Sequence, residues 1–170
     1  MADLPKRELG RTGLQVTMLG YGAMELRGAP RARDISEAQA EIILGAVLDA
    51  GINYIDTSID YGLSEERIGH YIAHRRDNYY LASKCGCLVG APPAPPGERS
   101  RHVFTRDNII AGVEQSLRRM KTGDLDLVQF QHLSVAPDPG RGRRARRAAR
   151  VAGRRQGPVH RHIQHSAKPA

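Results

Sequence analysis

Four reactive side chains in this 170-residue chain fall at or just beyond the ends of predicted strands: Asp56, Tyr61, Lys84 and His132. Together they make a coherent acid–base device. A tyrosine hydroxyl is ordinarily too weak an acid to protonate a carbonyl near neutral pH. A neighbouring ammonium stabilises the phenolate and brings the acid into a working range. A carboxylate holds such a lysine in place and keeps it charged, and a histidine can orient the carbonyl or share the proton transfer. Protonating a carbonyl oxygen is useful when a hydride reaches the carbon, which calls for a nicotinamide or a flavin. Taken singly, each residue has a plainer use: Asp56 as a strand-end cap, Tyr61 as a turn aromatic, Lys84 as a solvated loop lysine, His132 as a satisfied rim histidine. Their joint placement favours the acid–base reading.

The elements that must position them alternate along the chain. Arg7 to Val16 is predicted to form a hairpin, with Arg11-Thr12-Gly13 as its turn. Val16 to Gly20 reads as a buried strand. Ser36 and Gln39 make a capping box, after which Ala40, Ile43, Leu44, Val47 and Leu48 share one helical face. Gly51 stands where that helix should end. Ile52 to Thr57 is the second strand. Ser64 is expected to cap the second helix, with Glu65 and Glu66 near its positive end and Ile68, Tyr71 and Ile72 on its apolar face. Tyr79 to Ser83 is the third strand, and 88–101 is a Pro/Gly-rich loop bordering the mouth. Thr105 caps a third helix whose face carries Ile110, Val113, Leu117 and Met120, with Gly123 beyond it. Leu125 to Gln131 is the fourth strand.

Strands alternating with helices imply right-handed crossovers and a parallel sheet. Gly20-Tyr21-Gly22 lacks the third glycine of a dinucleotide fingerprint, and no helix is expected to start there. A barrel is therefore expected rather than a doubly wound sheet, and barrels carry their chemistry at the C-terminal ends of the strands.

The formal charge of +8 is unevenly distributed. Residues 135–170 hold 10 of the 26 Lys and Arg and one of the 18 acidic residues, leaving the body near neutrality. No apolar run is long enough to span a membrane, and the opening residues lack the apolar region of a signal peptide. Cys85 and Cys87 are one residue apart, which fits neither a Cys-x-x-Cys redox pair nor a zinc pair. Two free thiols, a cytoplasmic location and no metal site are expected.

Several motifs resemble the aldo-keto reductase family. Asp56 to Glu65 resembles its Asp-to-Tyr signature before a Ser-Glu helix start. Ala82-Ser83-Lys84 resembles its strand-end lysine motif, and Gln129-Phe130-Gln131-His132 its strand-four histidine motif. Leu9 to Leu14 and Leu19 to Met24 resemble its opening hairpin and first strand. The resemblance covers about residues 7–134. It implies a (β/α)8 barrel, here about its first four βα units, and NADPH-dependent reduction of a small aldehyde or ketone. In that role Tyr61 would donate the proton, Lys84 would be its charged partner, Asp56 would hold Lys84, and His132 would orient the carbonyl. Gly22 and Asp56 would lie near the nicotinamide ribose. The family also includes non-catalytic potassium-channel β subunits, so a regulatory role is an alternative.

The two expected units are residues 1–134, half a barrel, and residues 135–170, an Arg/Ala/Pro-rich tail. The tail has no Leu, Phe or Tyr and reads as disordered. Reading Arg143 to Ala170 one nucleotide later, with GC-rich codons, gives an amphipathic helix, a turn and a strand similar to the family's next units. A frameshifted reductase with a truncated barrel, binding little NADPH, is the resulting expectation. Nucleic-acid binding through the basic tail is the competing one. The tail's lack of stacking aromatics argues against it.

Overall fold

The computed structural model describes residues 4–92, 95, 97–98 and 100–131. His132 and the expected tail at 135–170 lie outside the described residues.

The chain opens with a hairpin, β1 (Lys6–Glu8) antiparallel to β2 (Gln15–Thr17), with Lys6 opposite Thr17. A parallel sheet follows in the order β3 (Tyr21–Gly22), β4 (Tyr54–Asp56), β5 (Tyr80–Cys85), β6 (Leu127–Phe130). Helices α1 (Glu37–Asp49), α2 (Ser64–Tyr71) and α3 (Arg106–Arg119) connect successive strands. This is the α/β pattern of the barrel family, and among the described residues the sheet does not close on itself.

Local chemistry explains most boundaries. Ser36 accepts from the Gln39 backbone N–H, and the Gln39 side chain accepts from the Ser36 N–H, so the capping box exists. At the other end of α1, Gly51 has φ of 86°. Its N–H reaches Leu48 O at 3.0 Å while Ile52 N–H reaches Val47 O at 3.3 Å. This is the double bond pattern of a Schellman ending, which needs a left-handed residue. Thr105 caps α3 as expected, accepting from Asn108 N–H.

Three expectations are corrected. Val16 and Thr17 are buried, but in the hairpin; Met18 and Leu19 are exposed, and the parallel sheet begins only at Tyr21. A short 3-10 helix, Ala23–Arg27, does start directly after Gly22. It buries Ala23 and Leu26, so packing, not a glycine motif, nucleates it. Ser64 does not cap α2, since Leu63 occupies the cap position. The Ser64 hydroxyl turns inward, 2.9 Å from the Thr57 hydroxyl and 2.8 Å from Ala23 O. A second 3-10 segment, Ala73–Asn78, bridges α2 to β5.

The core lies between the helices and one sheet face. Leu44 and Leu48 of α1, Ile68 of α2, Ile72 just after it and Met120 after α3 pack with Ile55 and Leu81. Each such buried aliphatic contributes roughly 1.5–3 kcal/mol.

Candidate active site

Side chains along a strand alternate between its two faces. Ile55, Leu81, Ser83 and Cys85 take the helix-covered face and are buried. Tyr54, Asp56, Tyr80, Lys84 and Gln129 take the opposite, inner face and stay partly exposed. Register fixes their neighbourhood: Gly22 pairs with Asp56, and Lys84 with Gln129.

Lys84 is held from two sides. Its Nζ donates to Asp56 Oδ2 at 2.5 Å and to Thr57 O at 2.8 Å. The other Asp56 oxygen, Oδ1, accepts from Gln129 Nε2 at 2.9 Å. The Lys84 and Asp56 side chains are 14% and 27% exposed, so the pair is neither free in solvent nor fully desolvated. The same ammonium lies over the Tyr61 ring, 4.8 Å from its centroid. The structure thus brings three of the four sequence-predicted residues together: Asp56, Tyr61 and Lys84. Gly22 sits beside Asp56 at the end of β3, with open space where a side chain would stand. The fourth residue, His132, lies outside the described residues.

The loop carrying Tyr61 is pinned on both sides. Tyr61 N–H donates to Ser58 O at 3.0 Å, and Tyr61 O accepts from Ser64 N–H at 2.8 Å. Asp60 holds Arg31 through both guanidinium ends, at 3.1 and 3.4 Å, and accepts from the Ser100 hydroxyl. Gly62 has φ of 46°, and a Cβ there would meet Arg27 O at 2.5 Å. Only glycine lets the loop press against the 3-10 turn and so set the tyrosine.

Beneath this loop Glu65 is wholly enclosed. It accepts from the hydroxyls of Ser83 and Ser116 at 2.7 and 2.6 Å, and Arg119 approaches at 3.3 Å. Burial raises its carboxyl above the usual range, against the lowering effect of Ser116, Ser83 and Arg119. Desolvation wins because no water reaches the group. Burial likewise pushes the Cys85 and Cys87 thiols up to about 11. Neither is a ready thiolate.

Beside the Tyr61 loop lies a cavity of about 750 Å³. Arg27, Arg31, Arg101, Arg119, Asp60 and Cys87 line it, together with the described part of the 88–101 loop. The described residues of that loop lie where the sequence places them, against the residues flanking Tyr61.

Sequence reasoning missed two participants. Gln129 was visible only as a polar residue within an apolar strand. Glu65 reads as an exposed first-turn acid, and nothing local shows that it is buried against α3.

Comparison with known proteins agrees with the geometry. The model of the Aldo/keto reductase family matches residues 18–136. The chain is 33% identical over 146 residues to pyridoxal 4-dehydrogenase from Microbacterium luteolum, covering 72% of this chain and 42% of that protein. It is 32% identical over 133 residues to D-threo-aldose 1-dehydrogenase from a Pseudomonas species, covering 68% and 40%. A crystal structure of a Pseudomonas aeruginosa protein assigned to the aldo-keto reductases superposes with a TM-score of 0.72 at 29% identity, covering 88% of this chain and 55% of that one. The chain spans about two fifths of the length of these curated relatives.

Proposed function

The chain belongs to the aldo-keto reductase family, and from that premise we propose that its inner sheet face protonates a carbonyl oxygen during nicotinamide-dependent reduction of a small aldehyde or ketone. One observation carries the reading: a lysine ammonium tethered by Asp56 and by Thr57 O lies over the Tyr61 ring.

Each residue has a separable task. Tyr61 gives its hydroxyl proton to the carbonyl oxygen as that oxygen gains electron density. The Lys84 charge compensates the negative charge left on the phenol oxygen. Asp56 keeps that ammonium in place, and Gln129 keeps Asp56 turned toward it. A fixed charge of this kind needs no reorganisation at the moment of proton transfer.

The residues present fit one edge of a nicotinamide riboside. Gly22 leaves space beside Asp56, and a carboxylate with two partners still has lone pairs for a ribose hydroxyl. When bound, a reduced nicotinamide, NADPH by the family's habit, would supply the hydrogen and two electrons that the carbonyl carbon receives. Gly22 and Asp56 are the residues that would hold it.

The test is the Tyr61→Phe variant of the full chain, assayed with a small aromatic aldehyde at NADPH concentrations raised until the rate saturates, because weak cofactor binding is expected. A loss of about 100- to 10,000-fold in kcat/KM, the range for removing a general acid, is expected. Undiminished reduction would refute the assignment.

A further inference from the structure

Beyond Phe130 the parallel ladder runs one residue further. Gln131 N–H donates to Cys85 O at 2.9 Å. Strand alternation then gives Gln131 the same face as Gln129, the residue that grips Asp56. Its side chain confirms that placement. Gln131 is 6% exposed, and its Oε1 accepts from the Ser58 hydroxyl at 3.4 Å. Ser58 follows Thr57, whose carbonyl accepts from Lys84. Gln131 therefore sits on the inner face, one step nearer the C-terminal mouth than the Gln129–Asp56–Lys84 row.

A primary amide has one acceptor oxygen and a two-proton donor nitrogen. Here the oxygen is engaged by Ser58, which orients the group, and among the described residues Nε2 makes no hydrogen bond. With its oxygen held, the amide nitrogen is left to donate to an acceptor that enters the mouth.

Resting on the functional reading above, we propose that the Gln131 amide, rather than the His132 imidazole, donates the hydrogen bond that orients the substrate carbonyl. An amide polarises a carbonyl oxygen as an oxyanion-hole donor does. It carries no proton that it can transfer, so the proton comes from Tyr61 alone. It also does not titrate. The rate profile of this protein then lacks the inflection that an imidazole, with an ordinary value of roughly 6.5, would impose.

The test measures kcat and KM for an aldehyde across roughly pH 5.5–8.5, spanning the imidazole range, in the full chain and in Gln131→Met, Gln131→His, His132→Ala and Tyr61→Phe. Gln131→Met keeps the length and removes the donor, and a fall of about 100-fold or more in kcat is expected. Gln131→His should restore part of that loss and bring a new inflection in the imidazole range, which a merely structural role would not produce. Full activity in Gln131→Met, with the loss appearing in His132→Ala instead, overturns the inference and leaves the Tyr61 assignment intact. Full activity in Tyr61→Phe overturns the functional reading itself. A second measurement needs no turnover. In the ¹⁵N-labelled chain titrated with acetone, the Gln131 side-chain amide signals should shift in wild type and in Tyr61→Phe alike. Unmoved signals overturn the inference whatever the rates show.

Discussion

The two faces of the four-stranded sheet are built from different materials. The helix-covered face carries Ile55, Leu81, Ser83 and Cys85, each at most 3% exposed. Glu65 intrudes on it from α2, surrounded by two hydroxyls and an arginine. The inner face carries Asp56, Lys84 and Gln129, joined to one another but still partly open. Adjacent residues in one strand thus serve opposite ends: Ser83 ties β5 to α2, and Lys84 points the other way to the tyrosine. The difference teaches that the stabilising and reacting groups of this fold are separated by a single step along the chain. Substitutions on the two faces should therefore separate stability from activity.

The largest expected effect belongs to the inner face. Lys84→Met removes the charge over Tyr61 and leaves Asp56 with Gln129 alone. A fall of about 1,000-fold in kcat/KM is expected, within the range for disabling a general acid. Asp56 retains contact with solvent, so thermal unfolding should change little. A large drop in Tm would mean that the inner pair holds the fold together, and the division between faces would fail.

Glu65 is the counterpart on the helix-covered face. Glu65→Ala strands the buried hydroxyls of Ser83 and Ser116 and leaves Arg119 without its enclosed partner. A cost of about 3 kcal/mol follows for breaking such a pair, which is roughly a 10 °C fall in Tm. Rates per folded molecule should stay within a factor of a few. Glu65→Gln adds a pH signature. Burial raises the Glu65 carboxyl, so the folded chain binds that proton more tightly than the unfolded chain. The stability it confers is fully present below the unfolded value, roughly 4.3, and is lost as pH rises through the folded one. Wild type should therefore lose stability relative to Glu65→Gln between about pH 4 and about pH 7. Denaturant melts of both proteins at those two pH values measure it, and parallel curves would contradict it.

How much of this was legible in the sequence follows the same division. The three helices, the parallel alternation and the placing of Asp56, Tyr61 and Lys84 were readable, because caps and strand ends are local signals. The face of α3 was misread: it buries Ile109, Gly112 and Ser116, and of the expected Ile110, Val113, Leu117 and Met120 only Met120 is buried. Ser36 with Gln39 and Gly51 with its two bonds are local in that sense. What escaped depends on contacts between distant segments. Ser64 looks like a cap, but its hydroxyl is claimed by Thr57 and Ala23. Glu65 looks like a solvated first-turn acid, but Ser116 and Arg119, some fifty residues on, enclose it. Gln129 and Gln131 belong to the site through strand register, and register is set by the neighbouring strand, not by the residues themselves.

A smaller effect tests how tightly the inner face is coupled. Gln129→Leu keeps the strand and removes the bond to Asp56 Oδ1. A hydrogen bond to a charged group contributes about 1.5 kcal/mol, equivalent to about tenfold in rate. The loss should fall on kcat with KM little changed, since Gln129 acts through Asp56. An equal loss in Gln129→Leu and Lys84→Met would show that the row works as one unit.

The smallest expected change lies at the rim of the helix-covered side. Lys121 follows α3 with φ of 52°, and the neighbouring bonds, Lys121 N–H to Arg118 O and Thr122 N–H to Leu117 O, are those of a Schellman ending. A side chain there costs about 1–2 kcal/mol against the left-handed conformation. Lys121→Gly relieves that cost. It also frees the unfolded chain, which gives back about 0.5–1 kcal/mol, and removes a cation from a helix C-terminus, worth about 0.3 kcal/mol on an exposed site. Strain wins by a narrow margin: a gain of about 0.5 kcal/mol, roughly a 1–2 °C rise in Tm, with kcat unchanged because Lys121 is remote from the inner face. A fall in Tm would mean that the lysine charge outweighs the backbone strain. Lys121→Asn would separate the two, since asparagine tolerates the left-handed region without carrying the charge.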